Sequence, residues 1–259
     1  MIYKVDYVID EIEYCYINKK PFSIVRPGDG ALKLFKTHIL KRYDVSNEKF
    51  IQQGIPVEWV PATVDRFAQA CNEANYILSF ELYLTQPEKF PRYFSTHTAA
   101  LVDDWKNIFK TVGIKNENYI GPNTEFAFFR KDCKNVFDII RGGNICAINN
   151  FTDPIKKLSD ILDTEVKHVK IPGEYGKHHT VFKRVMTNIT SLCKTYDVFL
   201  VGAGDLGRAY SMKIKQQGKI ALDIGNVFTA WNGKPEARMD NIITVNDDLS
   251  INFLIDSFY

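Results

Sequence analysis

Apolar positions along the chain change period repeatedly, and the changes divide it into alternating helices and strands. Val5, Val8, Ile9, Ile12 and Tyr16 recur at helical spacing on one face, whereas Phe22-Ser23-Ile24-Val25-Arg26 is a short β-branched run that closes on Pro27-Gly28-Asp29-Gly30. Helical composition returns over Ala31 to Lys41, with Leu32, Phe35 and Leu40 inward, so the Arg26–Gly30 turn joins the carboxyl end of a strand to the start of a helix. Asp65 to Ala74 reads as helix and Tyr76 to Phe80 as strand, and Leu101, Trp105, Ile108, Phe109 and Val112 mark a further amphipathic helix. Strands follow at Asn144 to Ile148, Val166 to Ile171, Val198 to Val201 and Lys219 to Ile224. The helices between them carry apolar stripes, Ile155, Leu158, Ile161 and Leu162 in one and Val181, Val185, Ile189 and Leu192 in another. Strand alternating with helix implies an α/β fold, a mostly parallel sheet covered on both faces.

No internal repeat, low-complexity tract or Gly/Ser linker interrupts this pattern, so residues 1–259 read as a single domain. At 259 residues and 45% hydrophobic content the chain can bury one large core. The formal charge of +2 is spread without basic clusters, which argues against a nucleic-acid partner. Cys15, Cys71, Cys133, Cys146 and Cys193 are scattered, without the CxxC spacing of zinc or redox sites, and read as reduced, mostly buried thiols. Asp6, Asp10, Glu11 and Glu13 occupy the stretch where a signal peptide needs a basic start and an apolar run, and no transmembrane-length apolar run appears. The expected location is cytoplasmic.

Ligands of such sheets gather beyond the carboxyl ends of the strands, which directs attention to four polar or glycine-rich loops. They are Arg26 to Gly30, Asn149-Asn150, Pro172 to His179 and Gly202 to Gly207. Gly202, Gly204 and Gly207 fit G-x-G-x-x-G after a strand, and Asp223 lies 19 residues beyond Gly204, the spacing of an NAD(P) site in an oxidoreductase. Only 36 residues follow Asp223 and none builds a second glycine turn, so one nucleotide fits better than two and no NAD is expected. A glycine turn that merely packs a helix on the sheet explains the motif as well as a phosphate role does.

In the first loop Arg26 offers a planar fork for phosphate, Gly28 and Gly30 permit unusual backbone angles, and Asp29 can ligate a cation, orient a ribose or act on an acceptor hydroxyl. Equally, Asp29 can cap the following helix with Arg26 as its salt-bridge partner. Asp223 and Asn149, at strand ends, can contact ribose or base, and Asp223 can instead satisfy the Gly225-Asn226 turn. The aromatics Trp105, Phe109 and Phe126 to Phe129 read as core, and His38, His97 and His168 lack ligand spacing.

Two stretches taken together carry a family resemblance. FSIVRPGDG over Phe22 to Gly30 resembles the F-S-[IL]-x-R-x-G-D-G-E signature of the bacterial GT-D fold glycosyltransferases, long catalogued as a domain of unknown function. LVGAGDLGRAY and IALDIGNVFTAW, within Val198 to Asn232, resemble that family's C-terminal signature. NTEFAFFR over Asn123 to Arg130 is a weaker echo. The resemblance implies a Rossmann-like domain that moves a sugar from a nucleotide donor, typically a UDP-sugar, to a glycan, glycoprotein or lipid-linked acceptor, with room for a homo-oligomer. Donor-binding residues would then be Arg26, Gly28, Asp29, Gly30, Arg130, Asn149, Gly202, Gly204 and Asp223, with Asp29, Glu174, His178 and His179 as candidates for catalysis. The family's D-x-E motif implies a divalent metal, Mn or Mg, held in part by Asp29. Here the Glu position is Ala31, and a lone carboxylate is a poor cation site. That departure keeps open a degenerate, non-catalytic partner in glycan assembly.

Overall fold

The computed structural model describes residues 2–27, 55–78, 106–121, 124–173, 177–233 and 243–253. Eight strands form one sheet: β1 (Ile2–Tyr3), β2 (Phe22–Val25), β3 (Tyr76–Leu78), β4 (Tyr119–Ile120), β5 (Ile145–Asn149), β6 (Lys167–Lys170), β7 (Val198–Val201) and β8 (Ile220–Asp223), in the spatial order β1-β4-β3-β2-β8-β7-β5-β6. Every neighbouring pair is parallel, so all carboxyl ends open on one rim. From β2 the chain continues to β3 on one side of the sheet and from β5 to β6 on the other. The loops therefore diverge over the central strands, where a crevice forms in folds of this kind.

Continuous apolar strands follow from this burial on both faces: every residue of β2, β5, β7 and β8 is buried. Alternate side chains serve two separate cores. Phe22, Ile24, Ile145, Ala147, Val198, Leu200, Ile220 and Leu222 pack with helices α1 (Val5–Ile17), α3 (Thr124–Ala127), α4 (Val136–Ile140), α5 (Asp153–Leu162) and α8 (Asn226–Trp231). Val25, Ile77, Cys146, Ile148, Phe199, Val201 and Ala221 pack with α2 (Val60–Glu73), α6 (His178–Leu192) and α7 (Gly207–Gln216). The antiparallel hairpin of β9 (Ile243–Val245) and β10 (Ile251–Phe253) closes over the first face, where Trp231 Nε1 donates to the Leu249 carbonyl at 2.8 Å.

Local chemistry sets the helix ends. Asn135 caps α4 by accepting from the Phe137 N–H while Asp138 returns a bond to the Asn135 N–H, a reciprocal capping box. Pro154 in the first turn of α5 spends no donor, and Asp163, at φ 51°, ends that helix in the left-handed conformation. In α1 the residue turned inward after Ile12 is Cys15 rather than Tyr16, which packs only part of its ring on the core. The helix expected at Asp65 begins earlier, at Val60, because Pro61 suits a first turn. In α6 the buried stripe runs through His178, Phe182, Val185 and Ile189, and Val181 and Leu192 flank it. Phe126 to Phe129 are all core, as expected from their apolar run. The cysteines are free, and all but the half-buried Cys133 are buried. No helix among the described residues is long and apolar enough to cross a membrane.

Candidate functional site

At the rim between β2 and β8, two buried ionic groups are tied to the backbone of Arg26 and a third to its side chain. Asp223, the last residue of β8, accepts from the Arg26 N–H at 3.3 Å, so it satisfies the turn after β2 rather than the Gly225-Asn226 turn. Arg208, in the first turn of α7, donates from Nε to the Arg26 carbonyl at 2.8 Å and from Nη1 to Asp205 Oδ1 at 2.9 Å. The Arg26 guanidinium pairs through Nε with Glu125 of α3, at 2.9 Å from Oε1. Its partner in the structure is therefore Glu125, whereas Asp29 lies outside the described residues. A Cβ on Gly225 would stand 3.2 Å from Arg26 Nη1 and 3.8 Å from Asp223 Oδ1, so a side chain there would press on the Arg26 guanidinium.

Burial pushes the Asp223 carboxyl up to about 6, with the Glu125 charge acting in the same direction; Arg208, Arg26 and the Arg26 N–H pull the other way without cancelling the cost of desolvation. Asp223 and Glu125 are already balanced by arginines, so the described part of the rim does not fit a divalent cation. No group of three or more His, Cys, Asp or Glu side chains among the described residues is placed to hold one.

Between β5 and β7 the rim is different. Asn149 is fully buried; its Oδ1 accepts from the Phe151 N–H at 2.7 Å, while its Nδ2 has no hydrogen-bond partner. Such a donor costs free energy unless something completes it. Beside it, each glycine of the 202–207 loop has a structural reason. A Cβ on Gly202 would meet Phe228 Cδ2 at 2.6 Å, Gly204 sits at φ +54°, and a Cβ on Gly207 would stand 3.3 Å from Val201 Cγ1. These positions account for the motif without a second nucleotide, and the loop still delivers the amino end of α7 to the rim.

His178, the first residue of α6, is buried with Nε2 2.9 Å from the Pro172 carbonyl and a further hydrogen bond to the Ala203 backbone. It fastens the loop after β6 to the loop after β7, and burial holds its pKa below the usual value. His179 packs its ring edge-on against Trp59, 5.9 Å between centroids. Arg130 is directed elsewhere: its guanidinium pairs with Asp132, and its backbone bridges to Ile251 of β10. In this structure the Arg130 fork is turned to Asp132, whose side chain is largely exposed. Gly28, Asp29, Gly30, Ala31 and Glu174 lie outside the described residues, as do Leu101, Trp105, Asn123, His38, His97 and the helix expected over Ala31 to Lys41.

The structure thus brings Arg26 and Asp223 together at the rim, and Asn149 and Gly202 together beside them, joined by the β7–β8 pairing of Val201 with Asp223. It adds Glu125, Asp205 and Arg208, which the motifs alone did not single out. A sequence signal existed for two of them: Asp205 and Arg208 are one helical turn apart in an otherwise apolar, glycine-rich helix start.

Comparison with solved structures finds the same fold at low sequence identity. One neighbour is described as the domain of unknown function 1792, with a distinct glycosyltransferase fold: TM-score 0.56, 14% identity, covering 90% of this chain and 82% of that one. Another is described as a new glycosyltransferase from Streptococcus sanguinis: TM-score 0.56, 14% identity, covering 99% of this chain and 91% of that one. None of the curated proteins compared matches the sequence. The model of the GT-D fold-like domain matches residues 3–231, nearly the whole described sheet, and the chain belongs to that family.

Proposed function

We propose that the protein is a glycosyltransferase that binds a nucleotide-sugar, a UDP-sugar in the first instance, at the β2-β8-β7-β5 rim and passes the sugar to a glycan, glycoprotein or lipid-linked acceptor. The observation that carries this reading is the buried, unpartnered Nδ2 of Asn149 beside the glycine loop of a GT-D-like sheet. In this proposal Asn149 donates to the nucleotide, and the N–H groups at the start of α7 face the diphosphate. Only Nε of Arg26 is engaged by Glu125, leaving its terminal nitrogens for a phosphate oxygen; Gly28, Asp29 and Gly30 would complete that side. Arg208 and Asp223 fix the backbone of Arg26 and so act as positioning residues.

As the bond from the anomeric carbon to the diphosphate breaks, the leaving group gains negative charge, which these donors stabilise, while the acceptor hydroxyl forms the new glycosidic bond. For an inverting outcome a base takes the hydroxyl proton. Glu174 is the better candidate, because the ring of His178 is committed to the Pro172 and Ala203 backbone. No step is routed through a metal, since the described residues do not fit one. Ala31 favours a second reading, a partner that binds donor without transferring sugar. Thermal-shift screening with UDP, UDP-sugars, GDP-sugars and NAD, with and without Mn²⁺, separates the readings. A shift with UDP-sugars but not NAD is expected, and a shift with NAD alone would reverse the assignment. Ala31→Glu is expected to increase the Mn²⁺ dependence of donor affinity by titration; an unchanged dependence would remove that position from cation binding.

A further inference from the structure

The opposite end of the sheet carries a feature that sugar transfer does not use. β6 is the edge strand, paired with β5 on one side and with no strand on the other among the described residues. The Ile171 N–H donates to the Asn149 carbonyl, so by the two-residue alternation of a parallel strand His168 and Lys170 turn their backbone groups to the open edge. Along that edge runs an open groove of ≈ 380 Å³ between β6 and α6, lined by Lys167, Val169 and Lys170 from the strand and by Arg184, Asn188 and Leu192 from the helix, with no carboxylate. Lys167 and Arg184 are exposed and, among the described residues, have no ion-pair partner, and Lys170 donates to Thr152 Oγ1 at 3.2 Å.

We infer that the free edge of β6 and its groove dock an extended acidic segment of a partner protein, which adds as a further strand. Unpaired edge groups supply the backbone hydrogen bonds of strand addition, and the cations select the side chains of the added strand. A second copy of this strand is disfavoured by charge, because self-pairing brings two strands carrying Lys167 and Lys170 together with no carboxylate between them. A nucleic-acid backbone fits poorly, because Val169 and Leu192 give the groove an apolar floor that suits alternate side chains of a peptide. Lys167 and Val169 share the face of β6 turned toward α6, so the side chains of the added strand on that face, the acidic ones, would meet Lys167 and Arg184 and lay their methylenes over Val169 and Leu192. This inference is independent of the transferase reading, since the groove shares no residue with the proposed donor site.

The test is fluorescence polarisation of the full chain with a labelled alternating Glu-Val octapeptide. Three comparisons accompany it: the Gln-Val analogue, the Glu-Val peptide N-methylated at alternate amides, and the protein variant Lys167→Glu/Arg184→Glu. Saturable binding is expected, weakened about tenfold or more by each of the three changes. Both substituted residues are exposed, so an unchanged melting temperature of the variant confirms that the loss is local. Three results would each overturn the inference: no saturation up to about 1 mM peptide, equal affinity for the N-methylated peptide, or equal affinity of the double variant.

Discussion

Two neighbouring parts of the same rim solve the problem of buried polarity in opposite ways. At β2/β8 the charges are paired within the protein, the terminal nitrogens of Arg26 apart: Arg26 through Nε with Glu125, Arg208 with Asp205 and the Arg26 carbonyl, Asp223 with the Arg26 N–H. At β5/β7, one strand away, Asn149 keeps a donor without an acceptor and Gly202 holds the Phe228 ring against the strand. A satisfied network holds a shape, while an unsatisfied buried donor is open to completion by a ligand or a water. On the proposed function, the first region is the frame of the site and the second its contact surface. The frame should fail in stability when broken, and the contact surface should fail in affinity.

The largest effect is expected from Arg208→Ala. Removing a buried guanidinium leaves Asp205 without its cation, takes away one of the two arginine charges acting on Asp223 and leaves the Arg26 carbonyl without its donor, at a cost of about 3–5 kcal/mol in urea denaturation. A loss under about 1 kcal/mol would mean that the network is not a frame. Next comes Gly202→Ala, whose Cβ has no room beside Phe228. A destabilisation of about 1–3 kcal/mol is expected, relieved in part when combined with Phe228→Leu, and strictly additive losses would show that the two do not compete for space.

The third effect depends on pH. Asp223 holds its proton more tightly in the folded chain than in the unfolded one, so its contribution to stability is fully present below the ordinary carboxylate range, near 3.8. That contribution is lost as pH rises toward about 6. The stability of the wild type relative to Asp223→Asn should therefore fall between about pH 4 and pH 6 and level off above. A difference that stays flat across that window would place the Asp223 carboxyl in water rather than in the frame.

The frame was only half legible in the sequence, for a physical reason. β2, β5, β7 and β8 announce themselves because strands buried on both faces must be apolar throughout, and their rim loops follow from parallel topology. β1, β4 and the β9–β10 hairpin, of two or three residues each, are too short to show a period, and α3 and α4 are one turn or little more. Arg26 and Asp223 could be picked out as polar residues at strand ends. Their partners could not, because Glu125 and Arg208 meet Arg26 from 99 and 182 positions away, and no local pattern encodes that meeting. For the same reason the glycine motif is ambiguous in sequence: turn, packing and phosphate roles place glycine at the same positions, and only the Phe228 ring and the Gly204 dihedral show which constraints operate.

The contact surface is tested most directly by isothermal titration of UDP and a UDP-sugar into the wild type and Asn149→Ala. The substitution removes one hydrogen bond to the Phe151 N–H and should cost stability only about 1–2 kcal/mol. Nucleotide affinity should fall about tenfold or more if the free Nδ2 is completed by the donor. Equal affinity of the two proteins, or binding of NAD by the wild type where UDP does not bind, would contradict a nucleotide-sugar site at this rim.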